Sequence, residues 1–379
     1  MKRTLMIVAL VGAFASAAHA QSSVTLYGLV DAGITYTNNQ NGHSNWEQLS
    51  GTLNASRWGL TGAEDLGAGL KAVFTLENGF DINDGKQQNG GRAFGRQAFI
   101  GVGNDLFGAV TLGRQYDSAF DFLGPFSLAG TQYGYTQFAH PYDNDNLDGF
   151  RINNSVKYQS PNIAGFKFGA MYGFSNAAGQ FTNNRAYSVG ASYTYACVNI
   201  GAAYLQLNNN LTPGSAFNAA GAVTGDQTFL AGRQQTWGAG ANCTFGPVTA
   251  GIAFTQTNLS QDPGISAGQS GLAGGVDLGS GSSHFQNIET NVRYALTPAV
   301  TLAGSYTYTR GSVESVHAHW NQFNLLADYA LSTRTDVYLE GVYQRVNEGS
   351  GLVAYINGLG AASSNNGQVA VTAGLRHRF

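Results

Sequence analysis

Along almost its whole length the chain alternates, residue by residue, between apolar side chains and small or polar ones. In Val300 to Thr309 one set is Val300, Leu302, Gly304, Tyr306 and Tyr308, and the other is Thr301, Ala303, Ser305, Thr307 and Thr309. Phe166, Phe168, Ala170, Tyr172 and Phe174 form another apolar face opposite Lys167, Gly169 and Gly173. Val24, Leu26, Val30, Ala32 and Ile34 do the same opposite Thr25, Asp31 and Thr35. A period of two is the mark of strands with two unlike faces. Helices that span a membrane are excluded after Ala20, because no run of about 20 apolar residues follows it. Charged residues are only 11% of the chain, where a soluble protein carries roughly 25%. Aromatic residues reach 12%, with 19 tyrosines, and a disordered chain lacks that content. What remains is an all-β protein whose surface need not be charged.

Alternation alone does not separate a soluble sandwich, whose apolar faces meet in a core, from a membrane barrel, whose apolar face meets lipid. The contents of the faces favour the barrel. Polar faces carry Arg57, Lys71, Glu77, Lys157, Lys167, Glu289, Arg293, Asp336 and Glu340 among Gly, Ser, Thr and Asn. Apolar faces hold Tyr, Phe and Gly rather than dense Leu and Ile, as a lipid band with aromatic girdles would.

Connections alternate short and long. The short ones are 64–69, 104–108, 160–165, 196–198, 245–247, 296–298 and 331–333, rich in turn formers. The long polar ones are 38–54, 81–91, 116–153, 175–185, 208–234, 258–285, 310–321 and 347–368. Seven turns and eight loops predict sixteen strands. Short turns at one end and long loops at the other are expected of an antiparallel transmembrane β-barrel, and sixteen strands enclose an aqueous channel.

The start of the chain predicts export. Lys2 and Arg3 precede an apolar stretch from Leu5 to Phe14 and small residues ending at Ala18-His19-Ala20, the pattern of a cleaved signal peptide. The predicted domains are therefore 1–20, removed, and 21–379, one barrel. Cleavage takes the basic residues from 19 to 17 against 22 acidic ones, a net charge of −5, which argues against nucleic acid as a partner. An oxidising compartment permits a disulfide between Cys197 and Cys243, and their spacing does not decide it.

Several segments taken together resemble the trimeric general porins of Gram-negative outer membranes, in particular the β-proteobacterial type. They are Ser22 to Gly28, Ser56 to Gly67, Arg96 to Gly101, Leu112 to Gln115, Asn153 to Tyr158, and Gly374-Leu375-Arg376-His377-Arg378-Phe379. The resemblance implies a homotrimer of sixteen-stranded barrels in the outer membrane, surrounded by lipid and lipopolysaccharide, that passes small hydrophilic solutes and ions. It implies a third external loop folded into the lumen, here 116–153, the longest connection, and wall arginines across from loop acids. The matching arginines are Arg57, Arg96 and Arg151, and the nearest loop acids are Asp117 and Asp121. Many relatives carry Pro-Glu-Phe-Gly on this loop; this chain has Gly124-Pro125-Phe126-Ser127 and lacks that acid. Arginines with few opposing acids suggest weak anion preference. Phe379 resembles the terminal aromatic read by the barrel-insertion machinery.

Parity tests these assignments. Arg57 lies opposite in face to Trp58 and Leu60, and Arg151 shares its face with Asn153, Ser155 and Lys157, so both point inward. Arg96 shares parity with Ile100 and Val102 and leans on the resemblance. Arg114 shares parity with Val110 and Leu112 and is expected at a rim or subunit contact. Asp143, Asp145 and Asp148 are expected in a vestibule or outside. Cys197 and Cys243 fall near adjacent short turns.

Enzymatic readings find no support: there is no Gly-x-Ser-x-Gly elbow, phosphate-binding loop or His-Glu-x-x-His. His317 and His319 share a face but lack the further ligands a metal needs. No cofactor is implied. An adhesin built from the long loops, or a lipase, stays open as an alternative that a conducting channel would exclude.

Overall fold

The computed structural model describes residues 23–208, 221–223, 229, 231–260, 282–313 and 316–379; the expected signal peptide lies outside them. The strands are β1 (Ser23–Gln40), β2 (His43–Ser50), β3 (Arg57–Gly67), β4 (Leu70–Gly79), β5 (Gln97–Asn104), β6 (Gly108–Tyr116), β7 (Arg151–Gln159), β8 (Phe166–Gly173) and β9 (Arg185–Tyr195). They continue with β10 (Val198–Asn208), β11 (Arg233–Phe245), β12 (Val248–Ser260), β13 (Ser283–Ala295), β14 (Val300–Val313), β15 (Val316–Ala330), β16 (Thr335–Val346) and β17 (Gly367–Arg378). Apart from β2 and β3, which both pair with β1, each pairs antiparallel with its sequence neighbour, and β17 returns to β1 between Leu29↔Arg378 and Thr37↔Ala370. Phe379 completes the seam, exchanging two backbone hydrogen bonds of 3.0 Å with Gly28.

Seventeen segments make sixteen barrel positions, because β2 and β3 share one. β3 pairs with Ser23 to Leu29 of β1, and β2 pairs with the part from Ala32 to Gln40. Between them Gly51 to Ser56 leave the wall and carry Leu53 into the interior, where it is fully buried beside Leu128, Phe138 and Ile356. Asp31 anchors this excursion, accepting from the Asn54 amide at 2.8 Å. The expected 38–54 loop is thus mostly strand. Its alternation is hidden because only Trp46, packed 5.0 Å from Tyr36, marks the outer face.

The 310–321 segment, also expected as a loop, extends β14 and β15 into a long hairpin. Here the polarity of the faces inverts. Nearer the short-turn end the outer face is apolar (Ile288, Leu302, Leu325, Leu339) and exposed. Near the long-loop end Arg310, His317 and His319 point outward while Phe285 and Trp320 are fully buried inside. Beyond the lipid band the outside is water, so large apolar residues gain only by turning inward. Period-two patterning survives there, but in the opposite phase.

Candidate pore constriction

The 116–153 loop lies inside the barrel. It begins with a short helix, α1 (Ser118–Leu123), capped by Asp117, whose carboxylate accepts from the Ala119 and Phe120 amides at 2.6 and 3.3 Å. A 3₁₀ turn over Gly124–Phe126 follows. α1 and this turn lie against inward glycines of β9 to β11: a Cβ on Gly190, Gly201 or Gly240 would stand within 2.6 Å of Phe122 or Phe126. Glycine at these positions is what lets the loop approach the wall.

The loop's far half is fastened to β13. Glu289, fully buried, accepts from Ser127 Oγ at 2.8 Å, the Leu128 amide at 2.7 Å and His140 Nε2 at 2.9 Å. His140 Nδ1 meets Asp145 at 2.6 Å, and Asp145 accepts from Thr255 of β12 at 2.6 Å. Burial opposes the charge on His140, but the Asp145 and Glu289 carboxylates hold its pKa up to about 10, so it donates from both nitrogens at neutral pH. Tyr142 then packs among Phe285, Trp320 and Tyr355, with centroids 5.7 to 6.5 Å apart. Asp143 and Asp145 are therefore buried anchors rather than vestibule acids.

With the loop seated against β9 to β16, the open part of the lumen lies against β3 to β7, and the three candidate arginines meet there. Arg57 opens β3, Arg96 immediately precedes β5, and Arg151 opens β7, so all stand near the long-loop ends of their strands. Arg96 donates from Nε to Glu77 at 2.8 Å and from Nη2 to Tyr116 Oη at 2.7 Å. Arg151 donates to the same hydroxyl at 2.8 Å and lies 4.7 Å over the Tyr116 ring. Arg57 Nε is 3.8 Å from Glu77, and its side chain is 27% exposed against 6% for Arg96, so it presents most to the channel. A cavity of about 320 Å³ separates this wall from Gly130, Gln132, Tyr135 and Asp148 of the loop. Gln97 and Tyr116 also line the next cavity, about 480 Å³, which carries Thr25, Thr61, Thr75 and Thr111.

Three expectations are corrected. Asp117 and Asp121 do not partner the arginines: Asp117 caps α1, with burial pushing its pKa up to about 6, and Asp121 pairs with Lys157 and accepts from Gln159 at 2.9 Å. Glu77 is the carboxylate of the arginine cluster, and Asp148 is the loop acid lining the cavity. Burial raises the pKa of both Asp143 and Asp148, which hydrogen-bond each other. Arg114 is buried, not at a rim, and donates to Gly95 O at 2.7 Å and Asn153 Oδ1 at 2.6 Å. The cause is a register shift against β7 at Gly113, whose φ is +139°. Counting Arg57, Arg96 and Arg151 against Glu77 and Asp148, the carboxylates that line this cavity, leaves this level net positive.

Cys197 and Cys243 are joined at a Cα separation of 4.8 Å, tying the β9–β10 turn to the end of β11. Among the described residues no cluster of three or more His, Cys, Asp or Glu could hold a metal ion.

A family model described as Gram-negative porin matches residues 7–349. An outer membrane porin protein of Bordetella pertussis is 38% identical over 241 residues, 56% of this chain and 62% of that one. Outer membrane porin protein 32 of Delftia acidovorans is 37% identical over 180 residues, 46% of this chain and 50% of that one. The chain thus spans half to about three-fifths of the length of these relatives. In fold it is similar to an anion-selective porin from Comamonas acidovorans, with a TM-score of 0.74 at 23% identity over 95% of this chain and all of that one. Sixteen strand positions closed on themselves, apolar outside and holding their longest described loop within, agree with that match: this chain belongs to the Gram-negative porins, and its place is the outer membrane.

Proposed function

We propose that the chain forms a water-filled channel through which small hydrophilic solutes and ions diffuse passively, with a preference for anions. The observation that carries this reading is the net positive level between the wall and the loop, where Arg57 faces an open cavity. Charge at the narrowest part of a pore outweighs charge elsewhere, because a low-dielectric wall focuses the field. The relative from Comamonas acidovorans, called anion-selective, supports the same sign. The protein acts as a homotrimer set in lipid and lipopolysaccharide, without cofactor, metal, nucleic acid or catalytic step. Residues 1–20 are its cleaved signal peptide, and Phe379, besides closing the seam, is read by the barrel-insertion machinery.

Planar-bilayer recording tests this. Trimeric channels open in steps of three, and the reversal potential in a potassium chloride gradient has the sign of chloride preference. Arg57→Gln moves that potential toward cations. A cation-selective wild-type channel would overturn the selectivity reading, and a barrel without conductance would overturn the channel itself. Deleting Phe379 lowers trimer yield; normal yield would leave it only the seam.

A further inference from the structure

The disulfide occupies a place in the fold that conduction does not use. Cys197 is the second residue of the two-residue turn between β9 and β10, after Ala196 at φ +51°. Its carbonyl accepts from the Thr244 amide at 3.1 Å. Cys243 lies opposite Val198, in the register row Tyr195, Val198, Cys243, Ala250 and Val292. Tyr195, Val198 and Val292 of that row are exposed on the outer face, so the bond lies on the lipid side of the wall. The next row toward the short turns holds Phe245, Val248 and Tyr294, and such an aromatic girdle marks the head-group boundary. Cys243 stands two residues, about 7 Å, inside it.

Making or breaking a disulfide needs an attacking thiolate. The only charged side chains on β9 to β12 are Arg185 and Arg233, at the opposite, long-loop ends of their strands. The apolar face around the bond therefore offers an incoming thiolate neither water nor a cation. Once that face meets lipid, oxidants and reductants dissolved in water are kept from the sulfurs.

What the bond fixes is register. β10 and β11 pair from Val198↔Cys243 to Asn208↔Arg233, and their ladder includes Gly201↔Gly240, Ala202↔Ala239 and Ala203↔Gly238. Side chains this small specify register weakly. Gly201 and Gly240 nevertheless have to lie side by side, since a Cβ on either would stand 2.5 Å from Phe126 of the inserted loop. A slip of one residue turns one of them to lipid, and a slip of two parts them by about 7 Å.

We propose that Cys197 and Cys243 are oxidised in the periplasm before the barrel inserts, by a thiol–disulfide oxidant acting on the still accessible chain, and that the bond delivers β10 and β11 to the membrane already in register. One chain thiolate attacks the oxidant's disulfide and displaces one of its sulfurs; the second attacks the mixed disulfide and displaces the other. The chain gives up two electrons and two protons, and the oxidant leaves as a dithiol. The proposal rests on the export and outer-membrane reading and is independent of ion selectivity.

Pulse-labelled cells, lysed at intervals into acid and a thiol-alkylating reagent, give the order of events. The bond is expected on chain that has lost its signal peptide and is not yet heat-resistant. Free thiols in the heat-resistant trimer overturn the proposal, whereas uncleaved chain held in the cytoplasm overturns the export reading instead. Purified protein tests what the bond does. Unfolded in urea and diluted into dilauroyl phosphatidylcholine vesicles, the oxidised chain should insert at least threefold faster than the same chain kept in dithiothreitol. Cys197→Ser with Cys243→Ser should match the reduced chain with or without reductant. Equal rates for the oxidised and reduced chains overturn the role in register. A membrane-impermeant phosphine should cleave the bond at least tenfold more slowly in the inserted barrel than in the unfolded chain; equal cleavage would leave the bond open to the periplasm after insertion and overturn the proposed order.

Discussion

Substituting Glu289 by Ala removes the acceptor of four hydrogen bonds at once, from Ser127 Oγ, the Leu128 amide, His140 Nε2 and Asn291 Nδ2. It leaves His140 with Asp145 as its one carboxylate partner and its Nε2–H without an acceptor in a buried place. Leaving a buried donor unsatisfied costs about 1–3 kcal/mol, so three loop donors losing one acceptor cost about 4 kcal/mol together. With ~1.4 kcal/mol per factor of ten, the ratio of docked to released loop falls about a thousandfold. The barrel wall keeps its ladders, so the effect is confined to the loop. Protease added from the external side should cut Glu289→Ala between residues 127 and 145 at a rate where wild type is resistant. Single channels of the variant should flicker between unequal conductance levels. Glu289→Gln retains an acceptor oxygen and should fall between the two. Protease resistance of Glu289→Ala within twofold of wild type would refute the reasoning, because the loop would then be held by Tyr142 and its aromatic neighbours alone.

Loop docking also depends on pH. The His140 pKa lies above its ordinary value, at about 10, so its contribution is full below about pH 6.5 and is lost as pH rises to and through 10; protease protection measured from pH 6 to 10.5 should fall on the alkaline side, and a flat profile counts against the buried imidazolium. Glu77→Gln removes the carboxylate nearest Arg57 and Arg96 and should shift the reversal potential further toward anions, whereas a shift toward cations would show that Glu77 does not offset them. Cys197 and Cys243 close a chain segment of 46 residues, for which loop-closure entropy gives about 4 kcal/mol. Replacing both by Ser should lower the thermal transition of the barrel and leave conductance unchanged, and an unaltered transition would mean that strand pairing alone fixes that turn.

Outer and inner faces were legible in the sequence wherever a strand crosses the lipid band, because lipid leaves no other place for a strand's apolar side. Arg57 and Arg151 followed from the same parity. Parity failed where the backbone leaves regular pleating. Arg96 precedes β5, so counting back from Ile100 carried the phase past the strand's end, and Gly113 shifts the register beside Arg114. The acids were illegible for another reason. Asp117, Asp121, Asp145 and Glu289 differ in role only through partners brought from distant parts of the chain, and Glu289 meets His140 across 149 residues. A pattern with a period of two carries no information at that range. The excursion at Gly51 to Ser56 was likewise hidden, since its single buried anchor, Leu53, reads as one apolar residue in a polar stretch.

Those partners also explain how a chain with more acidic than basic residues carries net positive charge beside the cavity at Arg57. The interior carboxylates are largely committed elsewhere: Glu289 and Asp145 to His140, Asp121 to Lys157, and Asp336 to Arg376 and Arg378. Together these four carboxylates meet four cations within a few ångströms, His140, Lys157, Arg376 and Arg378, so their summed field at the lumen axis is weak and decays quickly with distance. At the open wall the stoichiometry runs the other way, with Glu77 between Arg57 and Arg96 and the Tyr116 hydroxyl, a neutral group, taking hydrogen bonds from Arg96 and Arg151. A tyrosine in that place holds two cations in position without cancelling either. Replacing Tyr116 by Phe should therefore loosen both guanidiniums while leaving the formal charge unchanged, so conductance should become noisier and the sign of selectivity should persist.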